Sequence, residues 1–312
     1  MNEIRRILAV IDPTEKEQPA LDKALNLARQ MQAAVTVLLS AARPQAMVVD
    51  GGLAVTFEQY RGDLKIAYEA RLNEIVTALR HGNDDVSIDN RFAWHDRLYR
   101  GILEQAEETG ADLIIKDTHY HSAIARALYT NTDWNLIRHS RVPLWLAKRD
   151  VDVAAPGRVV ACVDPLQASE RPRALDDEII ETARSFAETA GAELHVLHIY
   201  QPLSEIGNAA KWAVDPTLLP VDDLSEKIRS RHDEAVARLC DRHDIPADRR
   251  HLVAGAVRTL LPGSLTDLKA SLTVLGAVSR RNLKRMLVGN TAETILDHAP
   301  CDVLVVKRAD DT

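Results

Sequence analysis

The chain has 312 residues, about twice the roughly 150 of a common domain, so two domains are expected. A formal net charge of −7 disfavours a general nucleic-acid binder, which needs a basic surface to neutralise phosphates. Three cysteines without a C-x-x-C pair fit a reducing compartment, and no run reaches the roughly 20 apolar residues of a membrane helix. We therefore expect a cytoplasmic protein with no membrane span and no nucleic-acid partner.

The first half alternates short apolar runs with helical patterns. Residues 7–11 are wholly apolar, as in a parallel strand that is buried on both faces. Pro19 suits a first helical turn, and apolar residues then recur at helical spacing. Further strands are predicted near 35–39, 86–92, 113–115 and 144–147, and further helices near 57–81, 98–109 and 133–138.

The second half repeats the first. Residues 6–13 (RILAVIDP) return as residues 158–165 (RVVACVDP), and from the second strand onward equivalent positions lie 159 residues apart. Such a constant register indicates a duplication. Strands are predicted near 159–163, 194–199, 250–253, 272–275 and 303–306, and helices near 174–190, 224–243, 259–269 and 291–298.

This alternation predicts an α/β fold of two tandem Rossmann-like domains, 1–150 and 157–312. Each is expected to be a five-stranded parallel sheet with helices on both faces. In such folds ligands bind at the carboxyl ends of the strands, where the strand order reverses. Asp12 and Asp164, which follow the first strand of each copy, are therefore candidate site residues.

The segment after the fourth strand of the second copy contains phosphate-binding features. Gly276 ends the strand, and Gly289 precedes a helix that Asn290 and Glu293 are expected to cap. Free amides at that helix start suit a phosphate, and four intervening basic residues add donors: Arg280, Arg281, Lys284 and Arg285. The residues alone leave open the alternative of turn glycines beside a solvated basic face.

The spacing in this segment resembles that of the universal stress protein family. That family has G-x-x-G, nine residues and then G-[ST] after its fourth strand, and Gly276, Ser279 and Gly289 keep the spacing here. The resemblance covers about 4–149 and 157–308. Phrases such as IDP at 11–13 and GNTAE at 289–293 look most like the tandem E-type members, within the universal stress protein A superfamily.

The resemblance implies a site for ATP with Mg²⁺. It implies that Asp164 lies near the ribose and metal, that Ile199 offers backbone groups to adenine, and that Gly276 and Gly289 let phosphates approach. Two residues depart from the pattern. Ser279 replaces a glycine, and Asn290 stands where the family has a hydroxyl, with Thr291 one place later.

The first copy departs further. The equivalents of Gly276, Ser279 and Gly289 are Asp117, Tyr120 and Thr130, so this site is expected to be degenerate, because a carboxylate repels polyphosphate. The resemblance further implies that the last strands, 144–147 and 303–306, associate. The chain would then be a pseudo-two-fold monomer, or would dimerise further.

Other patterns give weaker expectations. His119 and His121, or His195 and His198, suggest zinc only weakly, because residues three apart on a strand face opposite sides. No G-x-S-x-G elbow or Walker loop occurs, so no catalytic or metal-binding residue is assigned and enzyme activity is not expected. We expect a stress-response binding or regulatory protein. A ligand-free interaction scaffold, a slow ATPase, and a lipid-like ligand beneath loops 41–57 and 200–223 are the alternatives.

Overall fold

The computed structural model divides the chain into two compact units, Asn2–Arg149 and Asp150–Thr312. The structure describes residues 3–12, 15, 17–42, 47–49, 53–55, 58–118, 132–148, 157–166, 172–202, 221–277 and 298–307.

The N-terminal unit is a parallel sheet whose strands are, from one edge to the other, Ile88–His95 (β5), Ala34–Ala42 (β2), Arg6–Ile11 (β1), Leu113–Asp117 (β6) and Leu144–Ala147 (β7). The first strand lies inside the sheet because its residues are apolar on both faces. In chain order its elements are β1 (Arg6–Ile11), α1 (Pro19–Met31), β2 (Ala34–Ala42), β3 (Met47–Val49), β4 (Leu53–Val55), α2 (Glu58–Arg80), β5 (Ile88–His95), α3 (Leu98–Thr109), β6 (Leu113–Asp117), α4 (132–139) and β7 (Leu144–Ala147).

Helices cover both faces of this sheet. Tyr68 of α2 stacks on Phe92 of β5, with ring centroids 5.9 Å apart. Gly101 of α3 lies against the other face, where an added Cβ would be 3.2 Å from the Cβ of His95. Phe92 and His95 point to opposite faces because side chains alternate along a strand.

The C-terminal unit has the same strand order with parallel neighbours: Arg250–Ala254 (β10), Glu193–Tyr200 (β9), Arg158–Cys162 (β8), Ala270–Gly276 (β11) and Asp302–Val306 (β12). Its elements are β8 (Arg158–Cys162), α5 (Pro172–Ala190), β9 (Glu193–Tyr200), α6 (Val221–Arg242), a 3-10 turn (Ala247–Arg249), β10 (Arg250–Ala254), α7 (Val257–Asp267), β11 (Ala270–Gly276) and β12 (Asp302–Val306).

The two units agree in detail. Helix α1 ends at Gln32 and α5 at Gly191, both in the left-handed conformation and 159 residues apart. The spacing therefore already holds within the first helix of each unit. Equivalent residues can be compared there directly.

The predicted fold class, an α/β fold with parallel sheets flanked by helices, is confirmed. Short elements were missed: β3 and β4 form an antiparallel hairpin in the segment predicted as a long loop, and Ala247–Arg249 form a 3-10 turn. The helix predicted at 291–298 lies outside the described residues except for His298. Among the described helices, none is long and apolar enough to cross a membrane.

Candidate functional site

The strand order of the C-terminal unit reverses between β8 and β11. From β8 the chain proceeds outward to β9 and β10, and it then returns to the other side of β8 as β11. All these strands are parallel, so their carboxyl ends meet at one edge of the sheet. Asp164 and Gly276 lie there, at the reversal point where α/β folds bind ligands.

Asp164 is exposed two residues beyond β8. Its backbone N–H donates a 3.1 Å hydrogen bond to Oδ1 of Asp176 on α5. Asp176 is only 5% exposed, and burial raises the pKa of its carboxyl to about 6. The hydrogen bond from Asp164 acts against that rise, and the charges of Asp164 and Asp177 add to it.

Gly276 has a packing reason to be glycine. A Cβ at this position would lie 2.8 Å from Cδ2 of Leu175 and 2.9 Å from Cδ1 of Ile179, both on α5. These separations are too short for carbon atoms, so the side chains of Leu175 and Ile179 would have to shift to admit one at 276. Leu175 and Ile179 therefore fill the side of Gly276 to which a side chain would point, and its role towards phosphates stays a prediction.

Ile199 lies near the end of β9, beyond the pairing with β8. The β8–β9 register ends at Cys162 with Leu197, and one further hydrogen bond joins Val163 N to Leu197 O at 3.1 Å. Ile199 pairs with Val253 of β10 on its other side. The structure thus brings Asp164, Ile199 and Gly276 to neighbouring strand ends.

A histidine pair braces the end of β8. Nδ1 of His198 lies 2.9 Å from the carbonyl oxygen of Val163, so it must be the protonated nitrogen. Its Nε2 then accepts from Nδ1 of His232 on α6, at 2.8 Å. Burial lowers the pKa of both rings, and the charge of a protonated His198 would lower the pKa of His232 further. The pair holds the strand end that precedes Asp164.

His195 and His198, which lie three residues apart on β9, point to opposite faces of the sheet, as alternation along a strand requires. His195 faces away from His198 and pairs with His251 of β10, with 2.9 Å between Nδ1 and Nε2. Within the described part of the chain, no group of three or more His, Cys, Asp or Glu side chains is arranged for a metal ion. His119 and His121 lie outside the described residues.

The equivalent edge of the N-terminal unit contains a carboxylate. Asp117, at the end of β6, is 3% exposed, and its Oδ1 accepts a 2.6 Å hydrogen bond from the backbone N–H of Ala20. Ala20 lies in the first turn of α1, where free amides and the helix dipole favour an anion. The protein's own carboxylate therefore occupies the anion-binding end of this helix.

A buried ion pair adjoins that carboxylate. Nζ of Lys116 lies 2.8 Å from Oδ1 of Asp133, with the two side chains 10% and 9% exposed. The same ammonium donates to the backbone oxygen of Asp117 at 2.8 Å.

The end of β1 is held by the neutral side-chain amide of Gln18. Its Oε1 accepts from Asp12 N at 3.2 Å, and its Nε2 donates to Asp12 O at 2.6 Å.

The rest of the predicted phosphate site lies outside the described residues. This applies to Ser279, Gly289, Asn290 and Thr291, to the basic run between them, and to Tyr120 and Thr130 of the first copy. Sequence reasoning missed Asp176, His232 and His251. Each comes from an element other than the one that bears its partner, and single-residue spacing contains no signal for such contacts.

Two α/β units with the same strand order, each with polar residues at the reversal point, define a tandem protein of the doubly wound class. The chain belongs to the universal stress protein family, whose model matches residues 3–148 and 157–307. The predicted family is thereby confirmed.

Individual relatives agree with this assignment. The chain is 28% identical to universal stress protein E of Escherichia coli K12, over 97% of this chain and 94% of that protein. A crystal structure of a functionally unknown protein from Pseudomonas aeruginosa PAO1 matches with a TM-score of 0.75 and 28% identity, over 99% of this chain and 94% of the other. A putative universal stress protein from P. aeruginosa UCBPP-PA14 matches with a TM-score of 0.73 and 28% identity, over 99% of this chain and 95% of the other.

Proposed function

We propose that this chain is a cytoplasmic stress-response binding or regulatory protein with at most one nucleotide site, in its C-terminal domain. The ligand would be ATP with Mg²⁺, held at the ends of β8, β9 and β11. The observation that carries the proposal is the difference between the two strand edges, of which only the C-terminal one has its aspartate exposed.

Asp164 is suited to a ribose or metal role. It is exposed, its backbone is fixed by Asp176, and the preceding residue is fixed by His198. A carboxylate is a good ligand for Mg²⁺ and accepts hydrogen bonds from ribose hydroxyls. The predicted partners on the phosphate side are Ser279, Gly289, Asn290 and Thr291.

The N-terminal domain is proposed to be degenerate. Asp117 already supplies the negative charge that the start of α1 favours, and a polyphosphate placed there would be repelled. Asp12 is 9% exposed, in contrast to Asp164. The role of this domain would be structural.

The packing at Gly276 favours a second candidate function, an interaction scaffold without a small ligand. The direction of the missing side chain is filled by Leu175 and Ile179, so the glycine does not by itself require a ligand. Ser279 and Asn290, which depart from the family pattern, favour the same alternative.

Isothermal titration of the full chain with Mg-ATP separates the two. We expect one site per chain, and we expect Asp164→Asn to weaken binding by at least about tenfold, because a charged ligand to ribose or metal is lost. The equivalent change Asp12→Asn in the N-terminal domain is the matched control and should leave the affinity unchanged.

Two results would contradict the nucleotide proposal. The first is the absence of binding at millimolar Mg-ATP, which leaves the scaffold. The second is an equal effect of Asp12→Asn and Asp164→Asn. Measurement of ADP in the same samples tests the slow ATPase alternative. ADP formation by the wild-type chain that Asp164→Asn abolishes would show that this site hydrolyses ATP.

A further inference from the structure

A separate crevice lies between α5 and α6 of the C-terminal unit. It has a volume of about 380 Å³, within the roughly 300–1,000 Å³ of small-molecule sites. Its walls combine apolar and charged side chains from the loop after β8 and from the two helices. Among the described residues, its lining includes none of Asp164, Ile199 and Gly276.

Asp176 is the buried polar group of this crevice. Its Oδ1 accepts one hydrogen bond, from Asp164 N, and a carboxylate offers about four acceptor positions in all. Like charges on Asp164 and Asp177 lie nearby, and Arg242 is the cation that opposes them. A ligand that presents N–H donors to Asp176 would stabilise a carboxylate that the protein alone holds at a cost.

Two arginines on the last turns of α6 line the same crevice. Arg242 is held in place by a 2.9 Å hydrogen bond from Nη2 to Oδ1 of Asp177. Arg238 forms an i,i+4 pair with Glu234 at 3.3 Å, and both side chains are more than 60% exposed. Such an exposed pair contributes little, so the guanidinium of Arg238 is free to exchange Glu234 for an anion of a ligand.

Apolar side chains line the same crevice as the buried carboxylate. Leu166 follows the first strand, and Ala235 and Leu239 come from α6. Ala235 leaves space beside α6, and the leucines offer apolar surface. Apolar walls with a few placed polar groups are typical of small-molecule sites, and an aromatic ring offers apolar faces to such walls.

We propose that this crevice binds a guanine-type purine mononucleotide, with its N–H edge on Asp176 and its phosphate on Arg238 and Arg242. Guanine presents two adjacent N–H donors, which match the two oxygens of a carboxylate. Adenine presents a donor beside an acceptor, and that acceptor would face the carboxylate. The crevice adjoins the ATP site proposed at the strand ends, because Asp176 accepts from Asp164 N, but its lining residues are different ones.

Titration calorimetry with GMP in the presence of EDTA tests this proposal on the full chain. We expect one site, with AMP bound at least about tenfold more weakly. Asp176→Asn should weaken GMP binding by about tenfold and narrow the difference between GMP and AMP, since an amide can donate to adenine. Arg238→Ala should weaken GMP and flatten its dependence on salt, because a phosphate contact is lost.

Arg229→Ala is the matched control, because Arg229 is exposed on the same helix and does not line the crevice. It should leave GMP binding unchanged. The proposal is overturned if GMP does not bind at millimolar concentration, if AMP binds as well as GMP, or if neither Asp176→Asn nor Arg238→Ala weakens GMP. A chain that binds GMP but not Mg-ATP supports this site and refutes the one at the strand ends.

Discussion

The two units differ most at the carboxyl end of their fourth strand. In the N-terminal unit Asp117 extends to the start of α1 and accepts the N–H of Ala20. In the C-terminal unit the residues 159 positions later are Gly276 and Ile179, and Cδ1 of Ile179 would lie 2.9 Å from a Cβ at position 276. One strand edge is closed by electrostatics and the other by apolar packing.

Because both units fill this space, filling it is a requirement of the fold and not evidence for a ligand. Both edges must be filled against the first helix, and the two units fill them with different chemistry. The aspartate after the first strand is buried as Asp12 and exposed as Asp164. A ligand site is therefore better sought around Asp164 than around Gly276 alone. Three sets of variants test the comparison.

The largest effect is expected from Lys116→Met in the N-terminal unit. It leaves the Asp133 carboxylate buried without the ammonium that now lies 2.8 Å away. Removing one partner of a buried ion pair costs about 3–5 kcal/mol of the free energy of unfolding. Urea denaturation followed by tryptophan fluorescence, with Trp212 replaced by Phe throughout, reports on the N-terminal unit, which contains the other three tryptophans.

Arg71→Met is the control for this change. Arg71 pairs with Glu74 at 3.2 Å, but both side chains are largely exposed. The free energy of unfolding should therefore change by less than about 0.5 kcal/mol. If Lys116→Met lowered the free energy of unfolding by no more than Arg71→Met does, the buried ion pair would not stabilise the N-terminal unit as described.

A smaller loss is expected from Gly276→Ala in the C-terminal unit. The new methyl group would lie within 2.9 Å of Leu175 and Ile179, and overpacking of this kind costs about 1–3 kcal/mol. Ile179→Ala in the same chain, which copies the small residue of the first unit, should recover part of that loss. Calorimetric melting of the single and double variants measures the coupling.

Gly263→Ala controls for the loss of backbone freedom, because a Cβ there meets nothing within 4 Å. It lies within helix α7 and should stabilise by up to about 1 kcal/mol. A Gly276→Ala chain that melts at or above the wild-type temperature would show that α5 does not pack as described.

The smallest effect, a stabilisation, is expected from Asp176→Asn. The folded-state pKa of about 6 lies above the ordinary 3.8, so the folded chain binds the proton more tightly and loses stability as pH rises between these values. Asparagine keeps an oxygen for Asp164 N and has no charge to bury. The variant should gain roughly 1 kcal/mol at pH 7.5, and the gain should vanish towards pH 4.

Thermal melts from pH 4 to pH 8 measure this dependence, with the exposed Asp248→Asn as control. The charged groups that act on Asp176 are Asp164, Asp177 and Arg242, and His243 contacts Asp177 at 2.7 Å. An Asp176→Asn gain that is the same at every pH would assign the effect to something other than the buried carboxylate.

Most of the fold followed from the sequence because the signals are local. Buried parallel strands are short apolar runs, and the duplication allowed each element to be recognised twice. The hairpin Met47–Val49 and Leu53–Val55 was missed because three-residue strands do not establish an alternating pattern.

The site was predictable only in part. The topology rule placed Asp164 and Gly276 at the strand reversal from the order of elements alone. The contact of Gly276 with Ile179 depends on the rotation of α5 over the sheet, and the pairing of His198 with His232 depends on where α6 crosses β9. Neither quantity is encoded in the spacing of the residues concerned.

The first unit has the pair Asp117 and Ala20 where the second has Gly276 and Ile179. This difference also constrains how the two copies diverged. A side chain at 276 would crowd Leu175 and Ile179, and shrinking residue 179 first would leave a void beside the glycine. Changing either residue of this pair alone therefore costs packing energy. The two positions are expected to change together, which couples the end of the fourth strand to the first helix of this unit.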